Sequence, residues 1–490
     1  MIFQGKSKKG FPSIFYLGDV LILAFVVYFF ILLSIAIFSC KRNKITSDTD
    51  FIAGGRSLNF WVTAFTAHAS DMSSWLFMAF PAAIYVSGLI KIWAAVGPVV
   101  GMFLNWQFIA PKLREVTERY NCLTVSGYLS KRFDDRGFIS IITALISFFF
   151  FVIYLSSGLC GMGMLFDSIF GVDYHIAIII GIAVVMIYTS LGGFVTVAWQ
   201  DLFQGLFLLL MIFIVPAIAF LKVGSVDVII SKAAEYKISL SVIPVLTISS
   251  VLLIIQTILE LGLGYFGQLH ILSKFIGIKN GSDIYKSKYV GLVWQVLSLS
   301  AAVAVGLVAL AYFPARLSNP ELIFVEMVKG IFQPFMVGFV LCAILAAIIS
   351  TMDSQVLVIS SVLTEDFYKK FLRPKANGSE LLLVSRLSVI LACILAYVIA
   401  SSNSKSIYEL VLYAWSGLGS AFGPVLLFSF YSKNINRRGA IAGILSGAFT
   451  VLSWKIWRNW IPFDIAATVP GFLVSSLSIY FVSKIKIKGK

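Results

Sequence analysis

The sequence predicts an all-α polytopic membrane protein of about thirteen transmembrane helices, and three observations lead there. Of its 490 residues, 59% are hydrophobic and only 12% are charged, against about 25% charged in a soluble domain. Apolar windows of about 20 residues, the length that crosses a bilayer, recur along the whole chain. Two of those windows are interrupted by polar islands, Ala69-Ser70-Asp71-Met72-Ser73-Ser74-Trp75 and Ser350-Thr351-Met352-Asp353-Ser354. The chain is read as one membrane domain, 1–490.

The first span, 15–39, follows Lys6, Lys8 and Lys9. It is too long for the apolar core of a signal peptide and lacks a small-residue cleavage site, so it is read as retained. The further spans are placed at 59–87, 90–110, 138–166, 173–191, 193–221, 244–272, 288–314, 334–362, 383–402, 407–430, 440–457 and 466–483. Segment 222–240 alternates charged with aliphatic residues and reads as an external surface helix, and 364–374 reads as a cytoplasmic helical cap ended by Pro374. With the N-terminus outside, the segments left inside hold 26 of the 38 Lys and Arg residues. The positive-inside rule therefore puts the N-terminus out and the C-terminus in the cytoplasm.

Composition removes several function classes. A net charge of +15 would suggest nucleic acid in a soluble protein. Here the basic residues sit in short loops, with no basic cluster interleaved with aromatics. The cysteines (Cys40, Cys122, Cys160, Cys342, Cys393) show neither metal spacing nor a pairing pattern. No Ser-His-Asp set, Walker loop, Rossmann loop or zinc pattern occurs, and Gly192-Gly193 reads as a turn. No nucleophile–base set supports an enzyme, and no continuous polar stripe supports a channel.

Two spans carry internal breaks. The second has Ala67-His68-Ala69-Ser70-Asp71 near its middle, and the seventh has Glu260-Leu261-Gly262-Leu263-Gly264-Tyr265-Phe266-Gly267-Gln268. The glycines weaken that helix and leave carbonyls free. The two breaks are five spans apart, so 59–221 and 244–430 read as inverted repeats, each opening with a broken helix, with 1–58 and 431–490 as additions. Paired broken helices mark the binding site of secondary transporters.

Each polar island has a bland and a functional reading. A carboxylate at the depth of Asp71 costs about 3 kcal/mol on insertion scales, so it either caps a half-helix or meets a cation. The hydroxyls of Ser350 and Thr351 either bond back to the preceding turn or, with Asp353 and Ser354 beside them, face a wet ion path. Sodium takes hard oxygen donors of these kinds. Asp201, at the start of the sixth span, is either an interfacial charge or part of a cation exit path. Glu260 either neutralises a solute amine or caps a half-helix. Tyr265 lines a pocket or packs, and His68 is either a core residue or a site residue near Asp71.

These residues resemble the sodium:solute symporter family, most closely its proline-transporting members. The resemblance runs nearly end to end. It rests on Gly54-Gly55-Arg56-Ser57-Leu58, Ala69-Ser70-Asp71-Met72-Ser73 with Trp75, Gly192-Gly193-Phe194 with Trp199 and Asp201, Gly262 through Gln268, Ala346-Ala347 with Ser350-Thr351, and Thr364-Glu365-Asp366. It implies thirteen spans around a leucine-transporter-type core of two five-helix repeats, in a bacterial-type cytoplasmic membrane. It implies sodium, Na+, as coupling ion, held by the Ala69 and Met72 carbonyls and the Ser350 and Thr351 hydroxyls. It implies coupling or gating roles for Arg56, Asp71, Ser73, Asp201 and Asp353. It places Trp75, Tyr154 and Tyr265 at the solute, with Leu261, Glu260 and His68 beside them.

Four positions depart from the family pattern. Leu261 stands where proline members carry tryptophan, Glu260 where a small apolar residue is usual, His68 for glycine and Asp353 for serine. The expected activity is sodium-coupled uptake of a small solute, L-proline first. The alternatives are another amino acid, a pantothenate-like or sugar-like solute, or proton coupling through Asp353, Asp201 or His68. The expected partners are the solute, sodium and the lipid bilayer, with no nucleic acid and no obligatory protein partner.

Overall fold

Helices form where the apolar windows lie, and polar residues start them. In the computed structural model, which describes residues 14–42, 54–191, 193–243, 245–402, 406–460 and 465–485, the chain begins with α1 (Ile14–Arg42). The next helix, α2 (Phe60–Ser74), starts where the Asn59 side chain accepts from the Val62 amide at 2.9 Å, satisfying one orphan donor of the first turn. A π-helical turn, Trp75–Ala79, joins it to α3 (Phe80–Ser87). Then come α4 (Trp93–Leu104), α5 (Ala110–Arg119), α6 (Val125–Arg132), α7 (Phe138–Phe170), α8 (Tyr174–Leu191) and α9 (Phe194–Val223).

The surface helix expected within 222–240 is α10 (Val226–Glu235). The second half holds α11 (Ile248–Gly264), α12 (Leu269–Ile276), α13 (Ile284–Tyr312), α14 (Ile323–Ile331) and α15 (Pro334–Ser361). It closes with α16 (Gly378–Ser401), α17 (Ile407–Tyr431), α18 (Arg437–Trp457) and α19 (Thr468–Lys484). The cap expected at 364–374 is a π-helical continuation of α15, Val362–Leu372.

Ten helices among the described residues are long and apolar enough to cross a membrane. The other three expected spans are also helical: 59–87 is divided between α2 and α3, 173–191 is α8, and 466–483 is α19, 17 residues long. No strand occurs among the described residues; one isolated bridge pairs Leu58 with Ile278.

Both expected breaks are present, with a shift in position and cause. The first falls at Ser73, where φ is 46° and ψ −163°, two residues past Asp71. The second lies between α11 and α12, where Tyr265–Gly267 form a 3-10 turn and Gln268 is extended. The glycines there serve close packing rather than helix weakening. None of Gly262, Gly264 and Gly267 has positive φ, but a Cβ on Gly264 would overlap the Trp415 indole, and one on Gly267 would overlap the Leu418 carbonyl. Thus α17 fits directly against the break. Around α2, α9, α13 and α15 pack as its walls, and α1 leans on α15 and α9 from outside.

Candidate cation and solute site

The Ser73 break puts a non-glycine residue in a left-handed conformation, a strain of about 1–3 kcal/mol that neighbours must hold in place. Thr351 on α15 does so. Its Oγ accepts from the Ser73 amide at 3.0 Å while its own proton goes to the Ala347 carbonyl at 3.0 Å. Ser350 donates to the Ala69 carbonyl at 2.9 Å. The Ser73 hydroxyl accepts from the Trp75 amide at 3.3 Å, and the Met72 carbonyl takes the same amide. The four residues expected at sodium, Ala69, Met72, Ser350 and Thr351, thus gather where α2 meets α15. They offer two carbonyls and two hydroxyls, all buried, a hard-oxygen set that suits sodium. No cluster of three His, Cys, Asp or Glu that would suit a transition metal occurs among the described residues.

Beside this junction lies a cavity of about 20 Å³, room for about one water. Asp71, Met72 and Trp75 line it from the first break, and Leu261 and Tyr265 from the second; Tyr154, Pro98, Val411 and Trp415 complete the wall. The Tyr265 hydroxyl donates to Asp71 Oδ2 at 2.5 Å and accepts from Gln295 Nε2 at 3.1 Å. The Tyr154 hydroxyl meets the Ser73 side chain. Trp415 stands edge-on to Tyr265 with ring centroids 4.7 Å apart, and its Nε1–H donates to the Leu261 carbonyl at 3.0 Å. Trp75 stacks on Phe80, and its Nε1–H has no partner among the described residues.

Two residues expected at the solute lie elsewhere. His68 is fully buried between Trp106 and Trp294, and its Nε2 accepts from Trp106 Nε1–H at 3.2 Å. It faces Gly291 so closely that a Cβ there would overlap the imidazole. Its ring fills a packing gap, the bland reading of a lone histidine. Glu260 is half-buried, does not line the cavity, and stands within electrostatic range of Tyr408.

Asp201 is buried within the protein rather than exposed. It forms a buried ion pair with Lys274 at 3.3 Å, both side chains 1% exposed, and its Oδ2 also accepts from the Thr66 hydroxyl. Asp353 is buried on α15 between Thr351 and Ser354. Arg56, outside the spans, donates to the carbonyls of Thr117 at 2.9 Å and Cys122 at 3.2 Å, clamping the turn between α5 and α6. Burial and then nearby Arg114 shift its guanidinium down from the usual value, with Glu118 opposing. Leu58 N–H donates to the Gly277 carbonyl at 3.1 Å and the Leu58 carbonyl accepts from the Lys279 amide at 2.8 Å, tying it to the end of α12.

Sequence reasoning missed Trp415, Gln295 and Lys274. Gln295 was detectable as an amide inside an apolar span. Trp415 sits among small residues of α17 and Lys274 at the end of α12, and nothing local marks either as facing a site.

Two broken helices that meet around buried oxygens, with an aromatic-walled cavity between them, define a secondary transporter of the leucine-transporter fold. Solved structures agree on that fold. A Na+-coupled sialic acid symporter in a substrate-bound outward-open state superposes with a TM-score of 0.79 at 18% identity, covering 96% of this chain and 99% of its own. A nucleobase-cation-symport-1 family transporter in a closed conformation gives 0.54 at 14% identity, covering 89% and 94%.

The chain belongs to the sodium:solute symporter family, whose profile matches residues 51–447. It is 39% identical to the sodium/proline symporter of Salmonella typhimurium, over 94% of this chain and 92% of that one. It is also 39% identical to a high-affinity proline transporter of Bacillus subtilis, over 92% and 95%, and 37% to an osmoregulated proline transporter of the same organism, over 95% and 94%. The family makes this chain a sodium-coupled solute symporter rather than an enzyme.

Proposed function

We propose that the chain imports L-proline together with sodium by alternating access. Relatives named as proline transporters, 37–39% identical over more than nine-tenths of the chain, support the solute. The observation that supports the mechanism is the Ser73 break, where Ser350 Oγ bonds the Ala69 carbonyl and Thr351 Oγ takes the Ser73 amide, beside the cavity that Asp71 and Tyr265 share.

In this reading sodium ties α2 to α15 and so favours one arrangement of the two helices. Asp71 and Ser73 belong to the same break, so the ion sets the geometry of the solute wall. Binding of ion and solute is then coupled, and coupling of this kind is reciprocal. Trp75, Tyr154, Tyr265 and Leu261 enclose the solute. Trp75 Nε1–H and the Tyr154 hydroxyl offer donors to a carboxylate, and the aromatic faces cover an apolar ring. A cavity of about 20 Å³ is smaller than such a solute, so its wall must open to admit it.

The Lys and Arg distribution supports an outer N-terminus and inner C-terminus in a bacterial-type cytoplasmic membrane. The Arg56 clamp and the Asp201–Lys274 pair then lie toward the cytoplasm. Residues 59–221 and 244–430 are the two repeats. A membrane potential of 100 mV adds about 2.3 kcal/mol per sodium to the driving force.

Leu261 favours a second reading, a solute other than proline, because it lines the cavity where proline members carry tryptophan. Equilibrium binding of labelled proline to the purified protein, at graded sodium with potassium as control, decides between them. Tighter proline binding as sodium rises supports the first reading. No binding of proline, with sodium-dependent binding of another amino acid, pantothenate or a sugar, replaces it by the second.

A further inference from the structure

A second cavity, of about 30 Å³, lies between α12, α15 and the start of α6, and Ser273, Lys274, Ser354 and Phe194 are among the residues lining it. Its polar groups are under-used. Ser354 Oγ is buried with no hydrogen-bond partner among the described residues. Lys274 is 1% exposed and its ammonium makes one hydrogen bond among the described residues, to Asp201, while lying 5.3 Å from the centre of the Phe194 ring. An ammonium has three donors, and buried polar groups without partners are exceptions that call for an explanation.

The helix that carries Lys274 also touches a wall residue of the first cavity. His270, one turn earlier on α12, meets Tyr154 edge-on with ring centroids 5.9 Å apart, and Tyr154 lines the first cavity. Both His270 ring nitrogens are buried without partners among the described residues. Polar groups with spare capacity therefore run along α12 from one cavity to the next.

We propose that the cavity of Lys274 and Ser354 is a transit site for the carboxylate of the solute on its way to the cytoplasm. The proposal rests on the reading that the solute carries a carboxylate. Lys274 keeps Asp201 as counter-ion, so the ammonium need not be buried alone, and its remaining donors, with the Ser354 hydroxyl, bind an arriving anion. The Lys274 ammonium repels a sodium ion, so the site favours the anionic solute over the ion.

The test is the charge preference of a thiol at Ser354. Ser354→Cys is reacted, from the cytoplasmic side of sodium-free inside-out vesicles, with anionic ethylsulfonate and cationic trimethylammonium-ethyl methanethiosulfonates. Rates are read as the difference from the parent without Ser354→Cys and normalised to a free thiol. The anionic reagent is expected to be faster by about threefold or more, more so with Asp201→Asn, and slower than the cationic one with Lys274→Met, because the sign of the nearest unpaired charge changes. Lys274→Gln with Asp201→Asn removes both charges of the pair together and is expected to abolish the preference for the anionic reagent, which keeps the test valid if a single variant folds poorly. Equal normalised rates in all of these proteins overturn the proposal. Excess proline is expected to slow the modification at least about fivefold by occupying the site. A preserved charge pattern without protection by proline keeps the anion site and removes proline as the solute that visits it.

Discussion

The phenol of Tyr265 donates to Asp71 Oδ2 across 2.5 Å, joining the break of one half of the protein to the break of the other. Hydrogen bonds to charged groups contribute about 1.5–3 kcal/mol. Tyr265→Phe should therefore raise the sodium concentration for half-maximal uptake at least about tenfold. Sodium titration of initial uptake rates checks this; an unchanged curve would show that Asp71 acts without Tyr265.

Thr351 holds the amide of strained Ser73, and in the proposed mechanism it also offers an oxygen to the ion. Thr351→Ala should raise the half-saturating sodium concentration about tenfold, whereas Thr351→Ser, which keeps the hydroxyl, should stay within about threefold of the parent. Equal losses in the two variants would assign the effect to the methyl group.

His68→Ala separates packing from solute contact. It removes the acceptor of Trp106 Nε1–H and opens a buried gap, which should cost about 2–4 kcal/mol of stability. Thermal unfolding of the purified protein should show the loss, with half-saturation for solute unchanged in the protein that stays folded. A large rise in that constant with normal melting would return His68 to the solute site.

Gly264→Ala would drive a methyl group into Trp415, and overpacking of this kind costs about 1–3 kcal/mol or more. Gly378→Ala, where no atom lies within 4 Å of the new carbon, is the matched control. Melting temperature should fall clearly in the first and stay within the spread of the parent in the second.

The helices were legible because bilayer depth imposes one pattern, about twenty apolar residues per span. The meeting of α2 with α15 that is proposed for the cation was marked by hydroxyls and a carboxylate out of place in such spans, read with the family resemblance. Contacts across the bundle were not. Asp201 reads as a charge near a membrane surface until the fold brings Lys274 to it from 73 residues away. His68 reads as polar at a sensitive place until Trp106 and Gly291 close around it. The glycines of the seventh span read as helix weakeners, yet what requires them is the approach of α17, which no local pattern encodes.

In the proposed mechanism sodium and proline cross together. Uptake of radiolabelled L-proline into proteoliposomes, under an inward sodium gradient and then under an equal potassium gradient, tests it most directly. Accumulation with sodium and none with potassium is the predicted result. Equal uptake under both gradients, or none under either from protein that binds sodium, would contradict it.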